Sequence, residues 1–358
     1  SGVSTAGADS PSFFGKGQSL SIEQVILLSF AAFAGSARDE PHDWEVRATP
    51  VFDVNYLVAR ENGVVDIDPR SGTDRVDGHI AFQELFGDVQ VASVNVRGGI
   101  QAVLSDFRGF LFNDAAPGVT LSGRIVDTQW SAAYFRPLDK DTNSGLNSVF
   151  RDRRQNIGVA SVTQPDFLWP GYTTQLSLHL NDDLPSTHYD ANGFLVRPAA
   201  IGDAARHEIR VGYLGWTGEA QIDRFHLGHA FFEAIGRDTH NPIAGRATDI
   251  NAQMAALEAA YGRDRLRVKG GFFWASGDAD PTNGTARGFD AILDNPQFAG
   301  GPLSFWQRQG IKLTGGNVNL VNRASLLPTL RSSKDEGQAN FVNPGIFIYN
   351  VGLLGRLT

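Results

Sequence analysis

The stretch "WEVRATPVFDVNYLVAR", residues 44–60, sorts its side chains by parity. Even positions carry Trp44, Val46, Ala48, Pro50, Phe52, Val54, Tyr56 and Val58, while odd positions through Asn55 carry Glu45, Arg47, Thr49, Val51, Asp53 and Asn55. Successive side chains of a β-strand point to opposite faces, so this pattern predicts a strand with one apolar and one mostly polar face.

The same alternation recurs along the chain. "SVNVRGGIQ" (93–101) sets Val94, Val96 and Ile100 against Asn95, Arg97 and Gln101, and "VTLSGRI" (119–125) sets Val119, Leu121 and Ile125 against Thr120, Ser122 and Arg124. "YTTQLSLHLN" (172–181) opposes three leucines to Gln175, Ser177, His179 and Asn181, and "RLRVKGGFFWA" (265–275) opposes Leu266, Val268, Phe272 and Trp274 to Arg265, Arg267 and Lys269. In all, about fourteen strands are expected, joined by tight connections such as 125–129 and 261–265 and by long ones at 139–153, 182–206 and 276–303. No helix of consequence is required.

Composition narrows the setting. The 358 residues include 40 Gly, 24 Phe and no Cys, with a net charge of −8, and mean hydropathy is −0.19. An acidic chain lacks the basic surface that phosphate contacts demand, which sets nucleic acid aside. There is no disulfide framework or cysteine metal site, and no apolar run approaches the roughly 20 residues of a membrane-spanning helix. The opening "SGVSTAGADS" has neither charged nor apolar signal regions, so any secretory signal is expected to have been removed or never present.

Full charges on the polar faces need water, whereas a soluble sandwich core would be dry. Only a closed barrel lets extended chain cross hydrocarbon with its backbone paired, so the apolar faces are expected to meet lipid and the polar faces a wet lumen. Trp44, Tyr56, Trp130, Tyr134, Tyr213, Trp216 and Trp274 are expected in interfacial girdles.

Several segments, among them "SDFRGFLFND" (105–114), "YLGWTG" (213–218), "SGDADPTNGTARGFDAILDNPQFAGG" (276–301) and "NLVNRASLLPTLRSSKDEGQANFVNPG" (319–345), resemble the alginate-export-like outer-membrane β-barrel proteins from about residue 43 onward. The resemblance implies one monomeric transmembrane antiparallel up-and-down β-barrel domain over 1–358, with 1–19 as an N-terminal segment. It implies about eighteen strands, with short periplasmic turns and long extracellular loops. The ending "LLGRLT" lacks the usual terminal aromatic, so the closing strands are expected to lie outside this sequence.

Parity places Arg47, Asp53, Arg97, Arg124, Arg210, Arg265, Arg267 and Lys269 in the lumen as a pore lining. The leading expectation is a bacterial outer-membrane porin passing hydrophilic, anionic or carbohydrate-like solutes, with no cofactor and no chemistry. A second reading is a barrel platform that binds a protein partner through loops 182–206 and 276–303. A third is an outer-membrane hydrolase using His229, for which no GxSxG motif or serine partner is evident; a bulge would instead put His226 or His229 in the lumen. Asp278, Asp280 and Asn283, with Asp290 following, offer oxygens for Ca²⁺, although a turn built from Asp, Pro and Gly explains the same residues.

Overall fold

The computed structural model describes residues 2–6, 11–12, 15–34, 43–63, 75–140, 147–189, 195–199, 201–263, 266–301, 311–312, 319–320, 325–331 and 335–355. Within them every regular element is a strand. The first are β1 (Gly2–Ala6), β2 (Pro11–Ser12), β3 (Gly15–Leu27), β4 (Phe30–Ala34), β5 (Trp44–Gly63), β6 (Arg75–Val91) and β7 (Val94–Leu104). Next come β8 (Asn113–Ile125), β9 (Thr128–Phe135), β10 (Gln155–Gln164), β11 (Tyr172–Asp183), β12 (His188–Tyr189), β13 (Leu195–Arg197) and β14 (Ile209–Ile222). The series ends with β15 (Phe225–Asn241), β16 (Arg246–Arg263), β17 (Leu266–Ala275), β18 (Thr285–Ala286), β19 (Ile311–Lys312), β20 (Asn319–Leu320) and β21 (Ile346–Gly355). One of the fourteen strands that the sequence pattern predicts, near 304–314, falls mostly outside the described residues.

The main ladder is an antiparallel meander. β1 pairs β3, while β3 and β4 form one interrupted stave on β5. From β5 the order runs through β6, β7, β8, β9, β10, β11, β14, β15, β16 and β17 to β21. Its two ends, β1 and β21, share no pairing among the described residues. Turns at Ala92–Ser93, Val126–Asp127 and Asp223–Arg224 close one end, and the long connections leave from the other.

Burial follows the parity of the opening stretch. On β5, Trp44, Val46, Phe52, Val54 and Tyr56 are exposed, while Glu45, Thr49, Val51 and Asp53 are buried. One bulge intervenes: Thr49 opposes Glu84 and Pro50 opposes Phe82, leaving Gln83 unmatched. Inward parity on β6 therefore switches from Ala81 to Phe86 and Asp88, as one inserted residue requires. Exposed Leu176, Leu178, Leu180, Leu214, Trp216, Leu257, Val268, Tyr349 and Val351 continue the apolar outer face around the sheet. A helix-free meander with an apolar exterior, polar interior residues and turns sorted by end is a bacterial outer-membrane β-barrel fold.

The long connections do not all remain outside. Residues 105–112, 286–301, 325–331 and 335–343 turn inward, and Phe110, Leu111, Phe112, Phe289, Ile292, Phe298, Leu326, Leu327, Phe341 and Val342 pack in one cluster with Ile157, Tyr213, Phe232, Met254 and Phe273 from the wall. The long-loop half of the interior is thus an apolar core beside a polar remainder. Tyr213, expected in a girdle, is fully buried in this core and donates to the Asp290 carbonyl at 3.1 Å.

Candidate functional site: a polar vestibule below an in-turned plug

Beneath the apolar core lies a cavity of about 770 Å³ beside the short turns. β5–β11 and their turns line it with Glu45, Asp88, Gln90, Ser93, Asn95, Arg97, Ser122, Arg124, Gln129, Ser131, Ser161, Thr163 and Gln175. A second cavity of about 300 Å³ shares Arg97, Ser131 and Gln175 and extends to Ser105 and Phe135, at the base of the first in-turned segment. Neutral hydroxyls and amides outnumber the charges.

Arg47, Arg97 and Arg124 come together on this wall, and two of them are compensated. Arg47 bonds Glu45 at 2.6 Å and lies 3.6 Å from Glu84, while Arg97 bonds Asp88 at 2.8 Å. Both guanidiniums face the Phe86 ring, at 5.5 and 4.6 Å from its centroid. Arg124 is exposed to the vestibule. Asp53 is buried higher on β5, 3.7 Å from His79. Across the lumen, Arg267 and Lys269 share the parity of buried Phe273, and Lys269 reaches Glu258 at 3.3 Å. Arg265 lies outside the described residues.

Arg210 departs from its expected place. On β14 the buried set is Ile209, Val211, Tyr213 and Thr217, so Arg210 shares the outward face with Leu214 and Trp216. It stands in one registered outward row, Asn156–Asp182–Arg210–Arg237–Asp249, across five strands. It bonds Glu208 at 2.6 Å and Asp182 at 3.3 Å. Exposed Leu180 and Ile235 lie in the next outward row below, so the charged row marks the upper edge of the apolar band. Parity counting misplaces Arg210 by treating its strand's charge as lumenal. Replacing Arg210 with Glu is therefore expected to leave ion selectivity unchanged, and a reversal-potential shift as large as that of Arg97→Glu would overturn the outward placement.

No motif or period in the chain singles out Arg108. Asp106 accepts the N–H groups of Arg108, Phe110 and Leu111 at 2.9–3.2 Å and so folds segment 105–112 into a tight hook. Burial pushes the Asp106 carboxyl up, against these hydrogen bonds. From the hook Arg108 crosses to Glu219 at 3.0 Å and Glu258 at 2.9 Å. Gly228 stands between those glutamates in register, and a Cβ there would come within 2.5 Å of the Arg108 guanidinium. The missing side chain makes the slot.

A second network holds the later segments. The buried Asp290 carboxylate accepts from Arg331 Nε and Nη2, both at 3.0 Å, from Thr329 Oγ1 at 3.1 Å and from the Asn340 N–H at 2.7 Å. Nearby Arg153 donates to the Gly337 carbonyl; burial, then the charge of Arg197, pushes its guanidinium down to about 10.

At the expected calcium loop, Asp278 accepts the N–H groups of Asp280 and Arg287, Asp280 accepts both the N–H and hydroxyl of Thr282, and Asn283 accepts the Thr285 N–H. The Thr282 hydroxyl, then its N–H, hold the Asp280 carboxyl below its usual range. These oxygens are engaged in turns, and among the described residues no group of three His, Cys, Asp or Glu is placed to hold a metal. His229 faces outward, its Nε2 2.8 Å from the Tyr172 hydroxyl and its ring 4.6 Å from that of Trp216. The β14–β15 register runs unbroken past it, with His226 on the inner face.

No family model matches the chain, and no curated relative does; the finer resemblance to alginate-export-like proteins is not supported by these comparisons. Similar solved structures include those of OmpT, an outer membrane protein of Vibrio cholerae. The loop L8 deletion mutant is 11% identical with a TM-score of 0.40, covering 73% of this chain and 82% of its own. The outer-membrane expressed form is 11% identical with a TM-score of 0.40, covering 77% and 78%. The in-vitro folded form is 9% identical with a TM-score of 0.33, covering 77% and 93%. The expectation of a chain without chemistry does not stand: nothing in a likeness of 9–11% identity to these outer membrane proteins separates a channel from a catalyst.

Proposed function

We propose that this outer-membrane barrel is a channel for hydrophilic solutes, entered through the polar vestibule and narrowed by the in-turned segments. The supporting observation is the cavity of about 770 Å³ lined by Ser, Thr, Asn and Gln between compensated charges. Water-filled lumens of this kind select solutes by size and by the fixed charges that remain unpaired. With Arg47 and Arg97 ion-paired, Arg124 carries most of the local positive potential, and hydroxyl-rich solutes fit the wall better than a strongly anionic polymer does.

The apolar core across the long-loop half favours a second reading, a barrel closed from within that presents its outer loops to a protein partner. Planar-bilayer recording in a KCl gradient separates the two. The channel reading expects stable current steps whose reversal potential moves toward cations in Arg124→Glu. A folded barrel that stays silent as wild type and after release of the in-turned segments would sink the channel and leave the platform.

A further inference from the structure

Ser177, His179 and Asn181 form a polar track on the inner face of β11, and each is buried. The Ser177 hydroxyl, both ring nitrogens of His179 and the Asn181 amide nitrogen have no hydrogen-bond partner. Unpaired polar groups at such burial are costly. The track lies against wall residues: His179 meets Phe232, 6.2 Å between ring centroids, and registers beside Tyr213. Both of those wall residues pack in one cluster with the in-turned segments, Tyr213 against Phe289, 6.1 Å between ring centroids, and the Asp290 carbonyl. The track continues the line of Gln175 from the vestibule below, and its residues are of the vestibule's kind.

We propose that the in-turned segments 286–301, 325–331 and 335–343 are a gate held shut by the Asp290–Arg331 network, and that their displacement exposes Ser177, His179 and Asn181 to water as the upper half of the solute path. This rests on the channel reading above. The closed state gains apolar packing and the Asp290 bonds; the open state gains hydration of the orphaned track. A balance of two such arrangements is what a switch requires.

The chain has no cysteine, so single introduced thiols report water access cleanly. Ser177→Cys and, as a vestibule control, Ser161→Cys would be placed in wild-type and Asp290→Ala backgrounds, reconstituted in liposomes and exposed to an anionic methanethiosulfonate. The gate expects the vestibule thiol at position 161 to react in both backgrounds, and the track thiol at position 177 to react at least about tenfold faster in Asp290→Ala. Equal rates for the track thiol, with the vestibule thiol reactive, would overturn the gate and leave the channel standing. A vestibule thiol inert in both backgrounds would count against the vestibule itself. Should Asp290→Ala fail to assemble, the milder Asp290→Asn carries the same comparison.

Discussion

Replacing Asp290 with Ala is expected to loosen segments 286–301, 325–331 and 335–343 by about 3–5 kcal/mol, because a buried cation loses its partner. Both side chains of the Asp290–Arg331 pair are only 3% exposed. Arg331 would retain the carbonyls of Ala291 and Ile292, while Thr329 and the Asn340 N–H would lose their acceptor. The wall strands hold their own ladders, so the barrel should persist. Protease should cut between Phe289 and Asn343 while the barrel keeps its heat-modifiable mobility on gels. The double variant Asp290→Leu with Arg331→Met removes both charges together and is expected to recover much of the protection. Unchanged protection in Asp290→Ala would mean that apolar packing alone seats these segments.

The wall was legible in the sequence and its filling was not. Parity on β5 works because residues alternating between lipid and interior usually differ in polarity, and Trp44 through Tyr56 keep to it except at the buried Val51. Arg210 shows its limit, since beyond the apolar band an outward position can carry a charge. The bulge at Thr49 and Pro50 shows another: Pro50 has no N–H to give the ladder and so flags the place, but Gln83 is an ordinary strand residue and nothing local says which partner residue is skipped. Segments 105–112 and 286–301 have no period to read. Phe110, Leu111 and Phe112 are consecutive apolar residues in a connection, and their place depends on distant contacts such as Asn113 to the Asn295 carbonyl, 182 residues away.

That non-local assembly bears on selectivity through Arg108, whose replacement by Ala is expected to make the lumen prefer cations. In the wild type one guanidinium lies between Glu219 and Glu258, and Lys269 adds a second cation on Glu258. Removing Arg108 leaves two carboxylates against one lysine at the same level of the interior. For solutes passing close by, a local change of one charge is worth about 1 kcal/mol at an intermediate dielectric, or a cation-to-anion permeability ratio raised several-fold. Glu219, with 35% of its side chain exposed, should contribute more than Glu258, with 12%, because solvent ions reach it. Gly228→Val should act in the same direction with Arg108 intact, since the new side chain would occupy the slot where the guanidinium sits. Reversal potentials for wild type, Arg108→Ala, Gly228→Val and the triple variant Arg108→Ala, Glu219→Gln, Glu258→Gln give the decisive set. The triple variant should return toward wild type because the unmasked carboxylates are gone. If the single variants keep the wild-type ratio while conducting normally, ions do not pass this cluster and the path must run along the β5–β11 wall.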